Sequence, residues 1–143
     1  MRTPTLDQAP AIAALLSESG LPTDDLSEQD ISLFRIEGTH DRLVAVGGLQ
    51  PFDDVALMRS VATAASMRGR GLAGTIVDEL ESLAQERGFC SLYLLTESAA
   101  RFFESRGYLP VDRSDVPSAI QKSRQFASLC PDSAIVMWKQ LDV

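Results

Sequence analysis

The stretch from Val55 to Arg87 constrains the fold of this chain more than any other. Val55–Ala62 is an apolar, strand-forming run, and a short turn leads from it to Arg68-Gly69-Arg70-Gly71-Leu72-Ala73-Gly74. The helix that follows is amphipathic. Leu72, Ile76, Leu80, Leu83 and Ala84 fall on one face, Asp78, Glu79, Glu81, Ser82, Gln85 and Glu86 on the others, and Gly88 supplies the stop. A glycine-rich turn entering a helix N-terminus aims several unpaired backbone N–H groups at one point, at the positive end of the helix dipole. Such a point binds an anion, most often a phosphate or pyrophosphate. A phosphorylated ligand is therefore expected.

Two readings compete for these residues. Gly69, Gly71 and Gly74 satisfy G-x-G-x-x-G, and Glu97 ends the next strand, Ser91–Thr96, where a dinucleotide fold keeps its ribose-binding acid. Against it, the turn lies several residues past the strand end and is flanked by Arg68 and Arg70. Too little chain follows Glu97 for the further βα units of such a sheet.

The other reading takes the segment as Arg68-x-x-Gly71-x-Ala73, followed at the expected distance by Thr96-Glu-Ser-Ala99-Ala-Arg-Phe102-Phe103-Glu-Ser-Arg-Gly107-Tyr108. Together these resemble two motifs of the GCN5-related N-acetyltransferases (GNAT superfamily). Ala99, Phe102, Gly107 and Tyr108 fit the later motif, while Thr96 stands where Asn is usual and Phe103 where Tyr is usual. Nearly the whole chain is most similar, within that superfamily, to N-acetyltransferases associated with arsenic resistance. The residues carrying this are Leu21-Pro22 with Asp25-Leu26, Leu57-Met-Arg-Ser60, Leu92-Tyr-Leu-Leu-Thr96, Ala119-Ile120 with Gln125-Phe126, and a block from Cys130-Pro131 to Leu141. Such proteins also resemble the acetyltransferase domain of N-acetylglutamate synthases.

The resemblance implies an α/β (α+β) fold, with a mixed, mostly antiparallel sheet of about six to seven strands flanked by about four helices. It also implies central parallel strands, Val55–Ala62 and Ser91–Thr96, that splay at their C-terminal ends. The function implied is acetyl transfer from acetyl-CoA to the amine of a small, amino-acid-like substrate, or, in the alternative, non-catalytic acyl-CoA binding. Acetyl-CoA would be held by Val61 and Ala62, by the turn Arg68 to Gly74, and by Thr96, Ala99, Phe102 and Phe103. The acyl carbonyl would lie near the backbone N–H groups around Ser60 and Val61. Homodimers are common in the superfamily.

The side chains that could take part are few. Glu97 is a candidate base at a strand end, weighed against a solvated carboxylate at a helix N-terminus. Gln50 ends another middle strand, but an amide cannot take the proton. Tyr108 is a candidate proton donor, although its position in the family packs in the core, and Tyr93 is expected half-buried. Arg59 sits mid-strand in an apolar run, where a guanidinium must pair or reach solvent. It is either a salt-bridged structural residue or a grip for a substrate carboxylate, and by alternation Met58, Arg59 and Ser60 cannot all face the core. Gln125 is a weaker acceptor-side candidate.

At 143 residues the chain is read as one domain, residues 1–143. Its net charge of −7 argues against a general nucleic-acid binder. No run is long and apolar enough to span a membrane and no signal peptide opens the chain, so a soluble cytoplasmic protein is expected. The lone His40, in a Gly38-to-Asp41 turn, gives no basis for a metal site, and Cys90 and Cys130 are expected as buried small hydrophobes.

Along the rest of the chain, Thr5 to Gln8 reads as a capping box for a helix ending at Gly20. A brief strand, Arg2–Thr3, precedes it, and Leu26–Ile31 is expected as a short helix. Ser32–Glu37, Leu43–Gln50 and Val55–Ala62 form an antiparallel meander. A helix Ser98–Ser105, a strand Tyr108–Val111, a helical stretch Pro117–Leu129 and a last strand Ser133–Lys139 complete the chain.

Overall fold

The structure, a computed structural model, describes residues 1–129 and 133–141, so the expectation for Cys130 lies outside the described residues. The strands are β1 (Phe34–Gly38), β2 (Leu43–Phe52), β3 (Val55–Thr63), β4 (Ser91–Thr96), β5 (Leu109–Pro110) and β6 (Ile135–Gln140). The helices are α1 (Ala9–Glu18), α2 (Leu72–Glu86), α3 (Ala100–Glu104) and α4 (Ser118–Gln121). The strands form a mixed sheet in the order β1-β2-β3-β4-β6-β5, the α/β architecture expected. Among the described residues a seventh strand does not form. Arg2 makes a single antiparallel bridge to Ile36, and Pro4 has no N–H with which to extend it.

The chain divides into two compact units, Met1–Gln50 with Met58–Leu83, and Pro51–Leu57 with Ala84–Val143. In the first, Gln8 reaches back to the Thr5 N–H (2.9 Å), the expected capping box, and a 3-10 turn at Leu6–Gln8 leads into α1. The apolar stripe Ile12, Leu15 and Leu16 packs with Phe34, Ile36 and Val46. The strand β1 starts two residues later than expected. The Asp30 carboxylate accepts hydrogen bonds from the Ser32 N–H (3.0 Å) and hydroxyl (2.6 Å), which holds Ile31–Leu33 in a 3-10 turn. The expected helix Leu26–Ile31 likewise contracts to a 3-10 turn, Leu26–Glu28.

Ala45 to Leu49 of β2 are all buried, so this strand is covered on both faces. Two adjacent glycines make that possible. A Cβ on Gly47 would lie 2.5 Å from Ile76 Cγ2 and 2.9 Å from Leu80 Cδ1 of α2. A Cβ on Gly48 would lie 2.5 Å from the ring of Phe34, its cross-strand partner.

In the second unit, β3 pairs parallel with β4 over Val55↔Ser91, Ala56↔Leu92 and Leu57↔Tyr93. This ladder is shorter than either strand, in keeping with the expected splay. The strand β4 pairs antiparallel with β6 along its whole length, from Ser91↔Gln140 to Thr96↔Ile135. Leu57, Val116, Ile120, Phe126 and Val136 form the core. The expected helical stretch Pro117–Leu129 is broken into α4 and a π-helical turn, Gln125–Leu129. Ser123 causes the break: its hydroxyl donates to the Ile120 carbonyl (2.6 Å) and accepts from the Phe126 N–H (3.2 Å). Among the described residues no helix is long and apolar enough to cross a membrane.

Phe34 has no exposed surface and so cannot swing aside for a new methyl group. Gly48→Ala should therefore lower unfolding stability by about 1–3 kcal/mol through overpacking, read as a reduced urea midpoint at unchanged slope. An unchanged midpoint would mean that the sheet can open around Phe34.

Candidate functional site

The approach to the glycine-rich turn before α2 is set by backbone geometry. After β3 a 3-10 turn, Ala65–Met67, brings the chain to Gly69 and Gly71, whose φ angles are +81° and +77°. Both are left-handed conformations that a side chain disfavours. A Cβ on either would meet no protein atom within 4 Å, so the glycines are required by conformation and leave the space before the turn open. The helix α2 begins there. Thr75 donates to the Gly71 carbonyl through its N–H and its hydroxyl, both at 3.1 Å. By helix geometry the N–H groups of Leu72, Ala73 and Gly74 have no carbonyl four residues back and point out of the helix start. Arg68 and Arg70 are exposed beside them, whereas Gly74 and Ala62 are buried and Val61 is half-buried. The turn thus joins a concentrated set of donors to two solvent-facing cations, which suits a pyrophosphate.

Arg59 resolves into one of its two expected arrangements. Nη2 donates to Asp25 Oδ1 at 2.6 Å and Nη1 to Asp25 Oδ2 at 2.7 Å, a two-pronged pair whose side chains are 0% and 2% exposed. Nη1 also donates to Gln50 Oε1 (3.1 Å) and Nε to the Ser60 hydroxyl (3.2 Å). The fork is filled by a carboxylate of the protein itself, so it is not open to a substrate carboxylate as the direct grip expected of it. Asp25 is the residue the sequence reading missed. The signal was Arg59 itself, since a buried guanidinium demands a counter-charge, but nothing local indicates a partner 34 positions away.

Met58, Arg59 and Ser60 are all buried, as consecutive residues of a strand covered on both faces are. Ser60 has φ +58°, which interrupts the two-residue alternation of the strand.

In the second unit the later motif is a helix with its cap. Thr96 Oγ1 accepts from the Ala99 N–H (3.0 Å) just before α3. At the other end Gly107, φ +94°, donates to Glu104 O and Tyr108 donates to Phe103 O, each at 3.1 Å. This is a Schellman cap, and the Phe103 and Tyr108 rings supply its apolar contact, edge to face at 5.4 Å. Phe102 packs edge-on against Phe103 at 5.0 Å.

Tyr108 has no exposed surface, and the ammonium of Lys139 lies over its ring. That placement is the core packing weighed against its candidacy as a proton donor, and the ring belongs to the cap. Glu97 is exposed and accepts from the Ser133 hydroxyl (3.3 Å). Gln125 is buried at the start of the π-helical turn. Tyr93 is half-buried as expected; burial first, and the Cys90 sulfur second, push its phenol above the ordinary value. Cys90 departs from the expected apolar filler, being half-buried with its thiol donating to Asp54 Oδ2 at 3.6 Å. Among the described residues no three His, Cys, Asp or Glu side chains cluster as metal ligands.

Known proteins bear on this geometry. The chain is 30% identical over 101 residues to an amino-acid acetyltransferase of Aliivibrio fischeri, covering 69% of this chain and 23% of that protein. It is 24% identical over 127 residues to one of Pseudomonas putida, covering 83% and 29%. The chain thus spans about a quarter of the length of the curated relatives it matches. Among solved structures it is similar to the N-acetylglutamate synthase of Neisseria gonorrhoeae complexed with coenzyme A and N-acetyl-glutamate. The TM-score is 0.83 at 20% identity, covering 99% of this chain and 35% of that one. It is also similar to Mycobacterium tuberculosis Rv2747, a complex with CoA, with a TM-score of 0.82 at 21% identity, covering 99% and 98%. The model of the acetyltransferase (GNAT) family matches residues 11–108, which include the turn at Gly69–Gly71, α3 and its cap, and on this ground the chain belongs to that family.

Proposed function

We propose that the protein transfers an acetyl group from acetyl-CoA to the amine of a small, amino-acid-like substrate, as a single catalytic domain of residues 1–143. The observation that carries this is the left-handed turn Gly69–Gly71 opening α2, in a chain of the acetyltransferase family. Its N–H groups and the neighbouring arginines suit the coenzyme's pyrophosphate. Thr96, Ala99, Phe102 and Phe103 are the proposed contacts of the pantetheine arm.

A neutral amine attacks the thioester carbonyl, forming the C–N bond. The oxygen takes the negative charge and is held by backbone N–H groups around Ser60 and Val61. The intermediate collapses with cleavage of the C–S bond, and the sulfur leaves as thiolate. Phe103 offers no proton, and none is required, since a thiol with a pKa of about 8.5 is a tolerable leaving group as its anion. The ammonium proton passes to water or to Glu97, whose exposed carboxylate suits a relay better than direct contact.

An amino-acid acceptor is supported by the names of the relatives, amino-acid acetyltransferases. A role in arsenic or toxic amino-acid resistance, in the cytoplasm and as a homodimer, is the finer reading. It rests on the sequence resemblance, above all in the block ending at Leu141. One feature favours a second reading as a non-catalytic acyl-CoA binder: Phe103, the motif's usual phenol position, is a buried hydrocarbon ring.

Isothermal titration with acetyl-CoA tests the first step. The wild type should bind, and failure to bind at millimolar ligand overturns both readings. Release of coenzyme A over a panel of amino acids separates them, because turnover of any amine excludes the passive binder.

Gly71→Val combines a left-handed φ penalty with a side chain in the ligand's space, and should weaken acetyl-CoA binding about tenfold or more, about 1.4 kcal/mol. Arg70→Ala, which removes an exposed charge, should cost about 1 kcal/mol or less. Normal binding by a folded Gly71→Val protein would put the pyrophosphate elsewhere.

A further inference from the structure

Among the described residues only Asp53 and Ser60 hold a positive φ without being glycine. For Asp53 the tight turn between β2 and β3 accounts for it. Ser60 lies within a strand, where no turn demands it, so its surroundings must impose the conformation. Those surroundings form a single network. The Ser60 hydroxyl accepts from Arg59 Nε, and the other end of the same guanidinium is fixed by both oxygens of Asp25 and by Gln50 Oε1. Asp25 is anchored in turn, since its carbonyl accepts from the Glu28 N–H (3.0 Å) and from Gln29 Nε2 (3.4 Å).

Stability alone is a poor account of the pair, because apolar side chains of similar size commonly do as well in such a site. What apolar side chains cannot do is hold a hydroxyl, and through it a strained backbone, at one place in a strand.

We infer that Asp25 and Arg59 are positioning residues: with Gln50 they lock Ser60 in its left-handed conformation and so aim the N–H groups of Ser60 and Val61 at the thioester carbonyl. This rests on the acetyl-transfer reading. It gives Arg59 a role through the backbone in place of a direct grip on the acceptor.

The test replaces both charges together, Asp25→Leu with Arg59→Met, so that no lone charge is left buried to unfold the chain. Three measurements follow: backbone chemical shifts and amide exchange of Ser60 and Val61, acetyl-CoA affinity by titration, and kcat with the best amine found. The Ser60 shifts should leave the left-handed range, or its exchange should rise about tenfold while the amides of α2 keep theirs. The rate constant kcat should fall roughly tenfold or more, as for a misaimed oxyanion donor, with acetyl-CoA affinity within about threefold of wild type. Adding Ser60→Gly, which tolerates φ +58° unaided, should restore part of kcat.

Unchanged Ser60 shifts and exchange in a folded double variant would overturn the inference. So would a loss of kcat matched by an equal loss of coenzyme affinity. A wild type that binds acetyl-CoA but acetylates no amine would overturn the transfer reading, and with it the aiming of the N–H groups. The exchange data would then decide separately whether the network holds Ser60.

Discussion

An arginine with no exposed surface in the middle of a strand must find its counter-charge inside the protein, and much of the first unit is arranged around that need. Arg59 draws Asp25 from the loop after α1 and Gln50 from the end of β2 to one point on β3. Three segments distant in sequence are registered by one guanidinium. Removing one partner of such a pair leaves an uncompensated buried charge and typically costs about 3–5 kcal/mol. Removing both costs far less, so the pair acts more as a clamp on geometry than as a net source of stability. Its distances, 2.6 and 2.7 Å, are those of a charge-assisted fork and leave little freedom of orientation.

The two ends of α2 show the same backbone conformation put to opposite uses. At its C-terminus Gly88 turns the chain so that Phe89 N–H bonds the Ala84 carbonyl (3.0 Å), and the end is closed. At its N-terminus Gly69 and Gly71 turn the chain into the helix, where the first N–H groups have no intrahelical carbonyl. A closed end is complete within the protein. An open one, with nothing within 4 Å of either added Cβ, leaves its first N–H groups to water or to a ligand.

How much of this could be read from the sequence follows from the range of the forces. The helix α2 and strand β4 were legible because a stripe of apolar residues states its own period, and β4 falls on Ser91–Thr96 as expected. The later motif was legible as a pattern, and the core packing of its last residue, Tyr108, agrees with that pattern; what the pattern did not show is that Phe103, Gly107 and Tyr108 together form a helix cap. The start of β1 was misjudged because the Asp30 carboxylate competes for the backbone over two residues, an effect that hydropathy does not register. Asp25 was beyond local reasoning altogether. Pairing across 34 residues is a property of the folded chain, and so is the left-handed residue that interrupts the strand at Ser60.

An acetyl transfer of the kind proposed can rely on backbone more than on side chains. Expelling an alkoxide would call for a proton donor, because its conjugate acid is many powers of ten weaker than a thiol; a thiolate leaves with a proton affinity already near neutral pH. What remains is the charge gathering on the carbonyl oxygen, for which one fixed donor is worth about 10²–10³ in rate. Such a donor works only if it does not have to be reoriented as the charge appears. A peptide N–H in a strand is stiff, but in regular β geometry its direction is dictated by the ladder. Breaking that regularity at one residue re-aims it, at a cost in strain that the surrounding fold must absorb. In this protein the irregular residue is Ser60, and what absorbs the strain is a buried charge pair with a single geometry open to it.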